Sequence, residues 1–389
     1  MGNWTRICMI GIAFTIAACS AAAQPRDTPT AGILSKARST SPRATIESGN
    51  RTPGLFIPTA TDNRAQTSLA LTVPFVSVVS GKMTLLATLS PLSSGSGTPA
   101  GTVRFVDLAT NATLTTATLT SSTASSSVDA IGTHPLQALY SGDSTFAPST
   151  SPIFFAPYIA YLIGFAGETL APDQIGVILN PGTAFSTGVA IATALPTSLT
   201  GTRVSVTDSA GVVRPAPLYL VAPVQINFVI PAETAAGSAT VTATAPSGFT
   251  FAIEITISPT APNLFGANLG SNDVAAAEIV RVKPDGSQVS EAVSTFDSTR
   301  RRWVATPIRF GNDALYLVLY GTGIRHGRNV VSTIGGVTLA VLYSGAQPSF
   351  TGLDQVNIQL PLTLGGAGLV SVTVSTDGQL SNFVTLTFD

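Results

Sequence analysis

The sequence predicts an all-β chain assembled from several tandem β-sandwich domains. Three observations carry this prediction. Charged residues make up only 10% of the 389 residues, against about 25% in an ordinary soluble domain. The chain contains 35 glycines and 26 prolines, so turns are frequent and long helices are disfavoured. Apolar residues alternate with Thr, Ser and Arg in short runs, which is the pattern of half-buried strands.

The first 23 residues have the plan of an export signal. Arg6 lies in a short N-terminal region, a largely apolar run covers residues 7–18, and small residues follow at 21–23 (AAA). This order is typical of a cleaved signal peptide. The run is shorter than the about 20 apolar residues that span a bilayer. We therefore expect an exported protein, extracellular or at the cell surface.

Cys19 gives the leader a second interpretation. Residues 16–19 (IAAC) resemble the lipobox of bacterial lipoprotein precursors, in which the cysteine is lipidated and becomes the new N-terminus. A lipid on Cys19 would hold the protein on a membrane, such as the outer membrane, because each buried methylene contributes about 0.8 kcal/mol. Lipid anchoring and free secretion stay open as alternatives. Membrane contact is expected only through Cys19.

Residues 24–66 predict a disordered tether. The segment is rich in Pro, Ser, Thr and Arg and has no apolar periodicity. Such a composition buries too little apolar surface to offset the entropy cost of ordering the chain. A tether of this kind would lift folded domains off a surface.

Residues 67–155 predict the first folded domain. Short alternating runs, such as Met83, Leu85, Ala87 and Leu89, are separated by turn-rich segments, and six or seven of them predict a Greek-key sandwich. Residues 97–105 (GTPAGTVRF), 132–134 (GTH) and 140–146 (YSGDSTF) resemble the bacterial Ig-like repeat of surface proteins. The resemblance covers about residues 67–152. Within it, Asp143 is interpreted as a turn cap rather than as a calcium ligand.

A sequence repeat divides the remaining chain into two similar units, at residues 156–260 and 261–389. Residues 225–231 (QINFVIP) recur as 355–361 (QVNIQLP), an offset of 355 − 225 = 130. The shared positions of this structural motif are Gln225, Asn227, Pro231, Gln355, Asn357 and Pro361. Asn is disfavoured in strands, so its recurrence predicts a shared hydrogen bond to a neighbouring loop, with a ligand contact as the alternative.

Six landmarks of the two units are similar to a second family. They are residues 170–172 (LAP), 224–231 (VQINFVIP), 263–266 (NLFG), 275–287 (AAAEIVRVKPDGS), 319–325 (LYGTGIR) and 353–357 (LDQVN). Over about residues 160–389 the chain resembles the duplicated C-terminal module of secreted acidobacterial proteins. The resemblance implies a pair of IPT/TIG-like or immunoglobulin-like sandwiches, and no biochemical activity is established for that family. The whole chain is thus expected to be a tandem array of immunoglobulin-like or IPT/TIG-like β-sandwich domains.

The sequence favours no catalytic, cofactor or metal site. The only histidines, His134 and His326, lie near no nucleophile motif, and both cysteines belong to the leader. The net charge of −1 and the absence of long basic runs exclude a nucleic-acid footprint. The short run at residues 300–302 (RRR) is interpreted as a solvated turn.

The leading hypothesis is therefore a non-catalytic extracellular or cell-surface protein for adhesion or spacing, with an unknown extracellular protein or glycan as partner. One alternative is carbohydrate recognition through Trp303, Tyr316 and Tyr320, of which the two tyrosines are expected to pack in a core. A second alternative is a hydrolase with paired carboxylates. Its candidates are Glu168, Glu233, Glu254, Glu278 and Glu291.

Overall fold

The structure is a computed structural model. It describes residues 63–389 except for 78–79, 94–96, 132–133, 156–157, 162–168, 180–186, 192–193, 224, 249 and 269–272. The predicted leader with Cys19, and the predicted tether up to residue 62, lie outside the described residues.

Within the described residues, eight strands form the region of the first predicted sandwich. They are β1 (Thr67–Ser77), β2 (Lys82–Pro91), β3 (Thr102–Asp107), β4 (Ala112–Thr118), β5 (Thr123–Asp129), β6 (Pro135–Tyr140), β7 (Ser149–Thr150) and β8 (Phe154–Phe155). One layer has the order β4-β3-β6-β7, with β8 also on β6, and the other contains β1-β2-β5. In β2, Met83, Leu85, Ala87 and Leu89 are buried, as their alternation predicts.

Ordered contacts begin slightly before β1. The backbone N–H of Ala65 donates to the carbonyl of Thr145 at 2.8 Å, and the N–H of Ala147 donates to the carbonyl of Ala65 at 2.9 Å. Arg64 Nη1 also donates to the carbonyl of Asp143 at 2.9 Å. The last residues of the predicted tether therefore belong to the sandwich, because they pair with a loop of the domain.

Eleven strands of the described chain form the first C-terminal unit. They are β9 (Tyr158–Tyr161), β10 (Thr169–Leu170), β11 (Ile175–Leu179), β12 (Gly188–Val189), β13 (Ser198–Leu199), β14 (Thr202–Thr207), β15 (Val213–Pro215), β16 (Leu218–Ala222), β17 (Gln225–Val229), β18 (Gly237–Thr244) and β19 (Thr250–Ile257). One sheet has the order β12-β16-β17-β11-β9. The other contains β13-β14-β18-β19, with β15 on β14 and β10 on β19.

The Ig-like region and the first C-terminal unit share a sheet. β1 pairs in parallel with β19, with Phe75 opposite Ala252 and Ser77 opposite Glu254, so that the order β18-β19-β1-β2 is continuous. A single apolar core also runs through both regions, from Leu85 in β2 to Val241 in β18. The two predicted domains are therefore packed together as one body.

Twelve strands and one short 3₁₀ helix of the described residues form the second C-terminal unit. They are β20 (Asn263–Leu264), β21 (Ala277–Val282), β22 (Gln288–Ala292), β23 (Ser294–Asp297), β24 (Arg302–Ala305), β25 (Ala314–Thr322), β26 (Val330–Ile334), β27 (Val337–Ala346), β28 (Asp354–Leu360), the helix Leu362–Leu364, β29 (Gly368–Thr376), β30 (Gln379–Leu380) and β31 (Val384–Phe388). The main sheet follows β22-β21-β25-β28-β27-β26-β29-β30, and β23-β24 form a separate hairpin.

The second unit has its own core, which includes Leu317, Val356 and Val372. A third, smaller apolar cluster joins the two C-terminal units. It contains Ile175, Val177, Tyr219, Val229, Phe265, Ala276 and Leu353. Among the described residues, no helix has the length and apolar character needed to cross a membrane.

Candidate functional site

The repeated motif occupies equivalent strands in the two C-terminal units. β17 lies between β11 and β16, and β28 lies between β25 and β27. Pro231 and Pro361 follow the two strands. Each proline carbonyl accepts a hydrogen bond from the backbone N–H three residues later, that of Thr234 or Leu364, and both bonds are 3.1 Å long. The offset of 130 residues therefore relates two similar local structures.

An amide pair is the common feature of the two motifs. Gln225 Nε2 donates to Asn227 Oδ1 at 2.7 Å, and Gln355 Nε2 donates to Asn357 Oδ1 at 2.9 Å. Residues two apart on a strand point to the same face, so the long glutamine side chain reaches the asparagine of its own strand. The shared hydrogen bond that we expected from a neighbouring loop is made within the motif instead.

In the first unit, the amide pair lies on a covered face. We define this face as the side of β11, β16 and β17 whose residues, such as Val177 and Tyr219, belong to the third apolar cluster. Asn227 lies beside Val177, and Gln225 lies beside Leu179. Both amide side chains are 0% exposed, and Gln225 Oε1 and Asn227 Nδ2 have no hydrogen-bond partner in the described structure. Phe265 and Leu353 of the second unit belong to the cluster that covers this face.

In the second unit, the equivalent side of β25, β27 and β28 is partly exposed to solvent, although Val318 at its centre is only 6% exposed. We call this side the open face. Register places three pairs there: Tyr316–Gln359, Val318–Asn357 and Tyr320–Gln355. The corresponding pairs of the covered face are Ile175–Val229, Val177–Asn227 and Leu179–Gln225. The amide pair and a valine recur, while three aliphatic residues are replaced by two tyrosines and a glutamine. Of these replacements, Gln359 is exposed and both tyrosines are half-buried.

A β-bulge also recurs at the edge of each face. The bulge between β16 and β17 contains Tyr219, which is only 3% exposed and donates its hydroxyl to the carbonyl of Thr351 at 2.7 Å. The bulge between β27 and β28 contains Leu342, which is 59% exposed. The same backbone feature thus serves an interface between units in one copy and faces solvent in the other.

Tyr343 follows the second bulge and lies beside Asn357. Its ring lies over Gly345, because a Cβ at that glycine would be 2.7 Å from the Tyr343 hydroxyl and 3.0 Å from Cζ. The hydroxyl donates to the carbonyl of Ala346 at 2.9 Å, and the residue is 44% exposed. The ring is therefore held along its own strand and is partly exposed. Sequence reasoning missed Tyr343, although a glycine two residues after a tyrosine within a strand is a readable signal.

Glu278 supplies the one carboxylate on this side of β21. Its Oε1 accepts a hydrogen bond from the Tyr320 hydroxyl at 3.0 Å, and its Oε2 accepts one from Ser290 Oγ at 2.5 Å. β22, β25, β27 and β28 contain no Arg or Lys. Arg281 of β21 points to the opposite side, where its Nε donates to Glu291 Oε1 at 2.6 Å. The open face is therefore hydrogen-bonding, aromatic and weakly negative.

The structure corrects the expectation of core packing for Tyr316 and bears it out in part for Tyr320. Leu315, Leu317 and Leu319 of the same strand are the core residues. The tyrosines alternate with these leucines and so lie on the outer side of the sheet. Tyr320 also packs against the edge of the third cluster.

Trp303, the other aromatic candidate, lies in a different place. It is in the β23–β24 hairpin, opposite Phe296, and the two rings form an edge-to-face contact with centroids 5.6 Å apart. Asn268 accepts a hydrogen bond from the Trp303 backbone N–H at 2.7 Å and holds this hairpin. The three residues considered for carbohydrate recognition are therefore divided between two elements.

In the Ig-like region, Asp143 caps a turn. Its Oδ1 accepts the backbone N–H groups of Thr145 and Phe146, both at 2.7 Å, and its Oδ2 accepts that of Ala100 at 2.8 Å. The Ala100 N–H is the largest cause that lowers the pKa of Asp143 to about 2. Burial and the neighbouring Asp143 carboxylate raise the pKa of Tyr140 to about 12. The Tyr140 hydroxyl donates to the carbonyl of Ala100 at 2.8 Å, which is a structural role.

Both histidines contact aspartates. His134 Nδ1 lies 2.9 Å from Asp107 Oδ2. Burial raises the pKa of Asp107, but hydrogen bonds from Thr110, His134 and a backbone N–H outweigh it and lower the pKa to about 2. His326 Nε2 lies 2.8 Å from Asp173 Oδ2 of the first C-terminal unit, so this contact links the two units.

The carboxylates considered for a hydrolase are dispersed in the described structure. Glu254 lies in the sheet shared with the Ig-like region, where Ser77 and Ser238 donate to it. Glu278 and Glu291 lie on opposite sides of adjacent strands, because Glu291 pairs with Ile279. Glu233 is exposed in a turn, and Glu168 lies outside the described residues. No group of three or more His, Cys, Asp or Glu in the described ranges is arranged to hold a metal ion.

These sheets and sites define an all-β protein of tandem sandwiches. Residues 71–155 match the family model described as Bacterial Ig-like domain (group 3). This match confirms the resemblance found at residues 97–105, 132–134 and 140–146. The resemblance of residues 160–389 to a duplicated acidobacterial module stays a prediction.

Two solved structures are similar to the chain. One is SGBP-B of the Bacteroides ovatus mixed-linkage glucan utilization locus, in complex with a mixed-linkage heptasaccharide. The sequence identity is 12% and the TM-score is 0.27. The match covers 88% of this chain and 71% of that chain. The other is a tandem pair of titin Ig domains, with 10% identity, 60% of this chain and 95% of that chain covered, and a TM-score of 0.18. No curated protein matches the chain in sequence.

Proposed function

We propose that the chain is a non-catalytic binding and spacer protein of the bacterial cell surface or the extracellular medium. The observation that carries the proposal is the direct packing of successive units. β1 of the Ig-like region pairs with β19, and one core continues across that junction. Such packing holds the first C-terminal unit in a fixed position against the Ig-like region, which suits a spacer.

The junction between the two C-terminal units supports the same role. Thr322 Oγ1 accepts the backbone N–H of Ile175 at 3.0 Å and donates to the carbonyl of Gly352 at 2.7 Å. Arg325 Nε donates to Asp354 Oδ1 at 2.5 Å, beside the His326–Asp173 contact. Polar and apolar contacts thus fix the second unit against the first.

The experiment is fractionation of the native host, comparing the wild-type chain with Cys19→Ser. We expect the wild type in the membrane or the medium. Movement of the variant from membrane to medium means that Cys19 is lipidated, and both forms in the medium mean cleavage after Ala23. A wild-type chain that stays in the cytoplasm with residues 1–23 intact contradicts the proposal.

Carbohydrate recognition is the second candidate function, and the open face favours it. Its amide pair and tyrosines form a hydrogen-bonding, aromatic surface that begins beside the junction, at Tyr320. No observation on the dispersed carboxylates favours the hydrolase alternative, so we do not propose it.

A further inference from the structure

We propose that the open face of the second C-terminal unit binds a neutral polysaccharide across β25, β28 and β27. This inference rests on the proposed role as an extracellular binding protein and names the class of its ligand. It concerns Tyr316, Tyr320, Tyr343, Gln355, Asn357 and Gln359.

In the first copy of the duplicated unit, this side of the sheet is a contact surface. In the first unit the equivalent side is an interface, because Phe265 and Leu353 of the second unit pack there. The open face is continuous with that interface through Tyr320, which packs at the edge of the same cluster. The second copy retains the amide pair and an apolar residue in the bulge, where Leu342 is 59% exposed. A sheet side that is only solvated would not need aromatic and apolar residues at these positions.

The side chains on the open face match the chemistry of sugars. The faces of sugar rings carry C–H groups, which pack on flat aromatic rings. The Tyr343 ring is held close to Gly345, and its hydroxyl donates to the carbonyl of Ala346. Sugar hydroxyls need both donors and acceptors, which amides supply. The hydrogen bond between Gln355 and Asn357 orients the pair and leaves Asn357 Nδ2 and Gln355 Oε1 for a ligand.

The charge of the open face favours a neutral polysaccharide over an acidic one. The Glu278 carboxylate accepts a hydrogen bond from Tyr320 on the open face, and β25, β27 and β28 contain no Arg or Lys. An acidic polymer would meet a negative group with no cation to offset it. A neutral glycan is therefore favoured over a uronic-acid polymer.

The spacing of the aromatic residues requires a chain rather than a single sugar. Tyr316 and Tyr343 lie on strands that are separated by β28. Neighbouring strands lie about 4.8 Å apart, so these two residues are separated by about 10 Å across the sheet. A ligand that contacts both must run across the strands.

The test is affinity electrophoresis of the full exported chain, carrying Cys19→Ser so that it is soluble. Native gels contain xyloglucan, galactomannan, glucomannan or mixed-linkage glucan, with polygalacturonate as the acidic comparison. We expect at least one neutral polymer to retard the chain and polygalacturonate to leave it unretarded. Tyr343→Ala and Asn357→Ala should each weaken binding about tenfold, as for central contact residues. Tyr343→Phe, which retains the ring, should bind within about threefold of wild type.

Two aromatic control variants separate this face from other surfaces. Phe155→Ala removes a 46% exposed aromatic residue of the Ig-like region, and Trp303→Ala tests the β23–β24 hairpin. Both should bind like wild type. Thermal unfolding of every variant identifies any loss of folding, and Asn357→Ala and Tyr343→Phe test the face even if Tyr343→Ala fails to fold.

The inference is overturned if no neutral polymer retards the chain, or if Trp303→Ala abolishes retardation while Tyr343→Ala and Asn357→Ala do not. Either result leaves the surface or extracellular role intact, because fractionation with Cys19→Ser tests that role independently. Conversely, retardation by a neutral glycan would stand even if fractionation contradicted export.

Discussion

Asn227 and Asn357 accept the same hydrogen bond, each from the glutamine two residues earlier, but only Asn227 is completely buried. The two donor–acceptor distances are 2.7 and 2.9 Å. Asn227 is 0% exposed against the junction, whereas Asn357 is half-buried on the open face. One motif therefore has two environments, and equivalent substitutions in the two copies should have different effects.

Asn227→Asp should destabilise the chain at neutral pH. The added carboxylate oxygen would be buried beside Val177 without a hydrogen-bond donor. Leaving a neutral polar group buried and unpaired costs about 1–3 kcal/mol, and an unpaired charge costs more. We expect the free energy of unfolding at pH 7, measured by urea denaturation, to fall by about 3 kcal/mol.

Burial of the new carboxyl determines how the stability of Asn227→Asp changes with pH. Burial raises the pKa of such a carboxyl above the unfolded value of about 3.9, so the native state holds the proton more tightly. The loss of stability should therefore be absent below about pH 3.9 and grow as the pH rises above it. Asn357→Asp is the matched control, with an expected loss of less than about 0.5 kcal/mol. Equal losses at both positions would contradict the difference in burial.

Gly352→Ala should weaken the junction between the C-terminal units. Gly352 has φ of +81°, and a Cβ there would lie 2.7 Å from Ile175 Cγ1 and 3.1 Å from the carbonyl of Asp173. The backbone conformation alone costs a non-glycine residue about 1–2 kcal/mol, and the clash adds to it. Gly378→Ala is the control, because φ is +86° and nothing lies within 4 Å. Urea denaturation should show a larger loss at Gly352, and equal losses would show that its contacts with the first unit are unimportant.

The shared core predicts that the Ig-like region and the first C-terminal unit unfold together. Leu85→Ala removes a fully buried side chain on the Ig-like side of that core and should cost about 2–5 kcal/mol. Amide hydrogen exchange should then become faster in both β2 and β18. Leu317→Ala, in the separate core of the second unit, should leave β18 less affected. Faster exchange confined to β2 in Leu85→Ala would mean that the two regions unfold independently.

Local patterns of the sequence were sufficient for much of the fold. The alternation in β2 predicted its buried residues, and the offset of 130 residues predicted two equivalent strands. The parallel pairing of β1 with β19 was not predictable, because it joins residues more than 170 positions apart, such as Phe75 and Ala252, through backbone hydrogen bonds that leave no sequence pattern.

The open face could be predicted only in part. Tyr316 and Tyr320 were identified, but their side of the sheet was not, because Val318 between them makes the strand apolar on both faces. Whether such a face is covered depends on which neighbouring unit packs there. The same strand pattern is covered in the first copy and open in the second, so only tertiary structure distinguishes them.

Asp143→Asn should destabilise the Ig-like region in a pH-dependent way. The carboxylate accepts backbone N–H groups from Ala100, Thr145 and Phe146, and these hydrogen bonds hold its pKa at about 2, below the unfolded value of about 3.9. A lowered pKa means that the stabilisation is complete above about pH 3.9 and is lost as the pH falls through about 2. Thermal unfolding at pH 7 should show a loss of about 1 kcal/mol, typical of losing a side-chain cap. Near pH 2 the stabilities of the variant and the wild type should converge.

The control is Asp129→Asn, which should change stability little at either pH. The Asp129 carboxylate is 81% exposed in an ion pair with Lys82. A loss at Asp143 that persists unchanged at pH 2 would show that the charge on the carboxylate does not hold this turn.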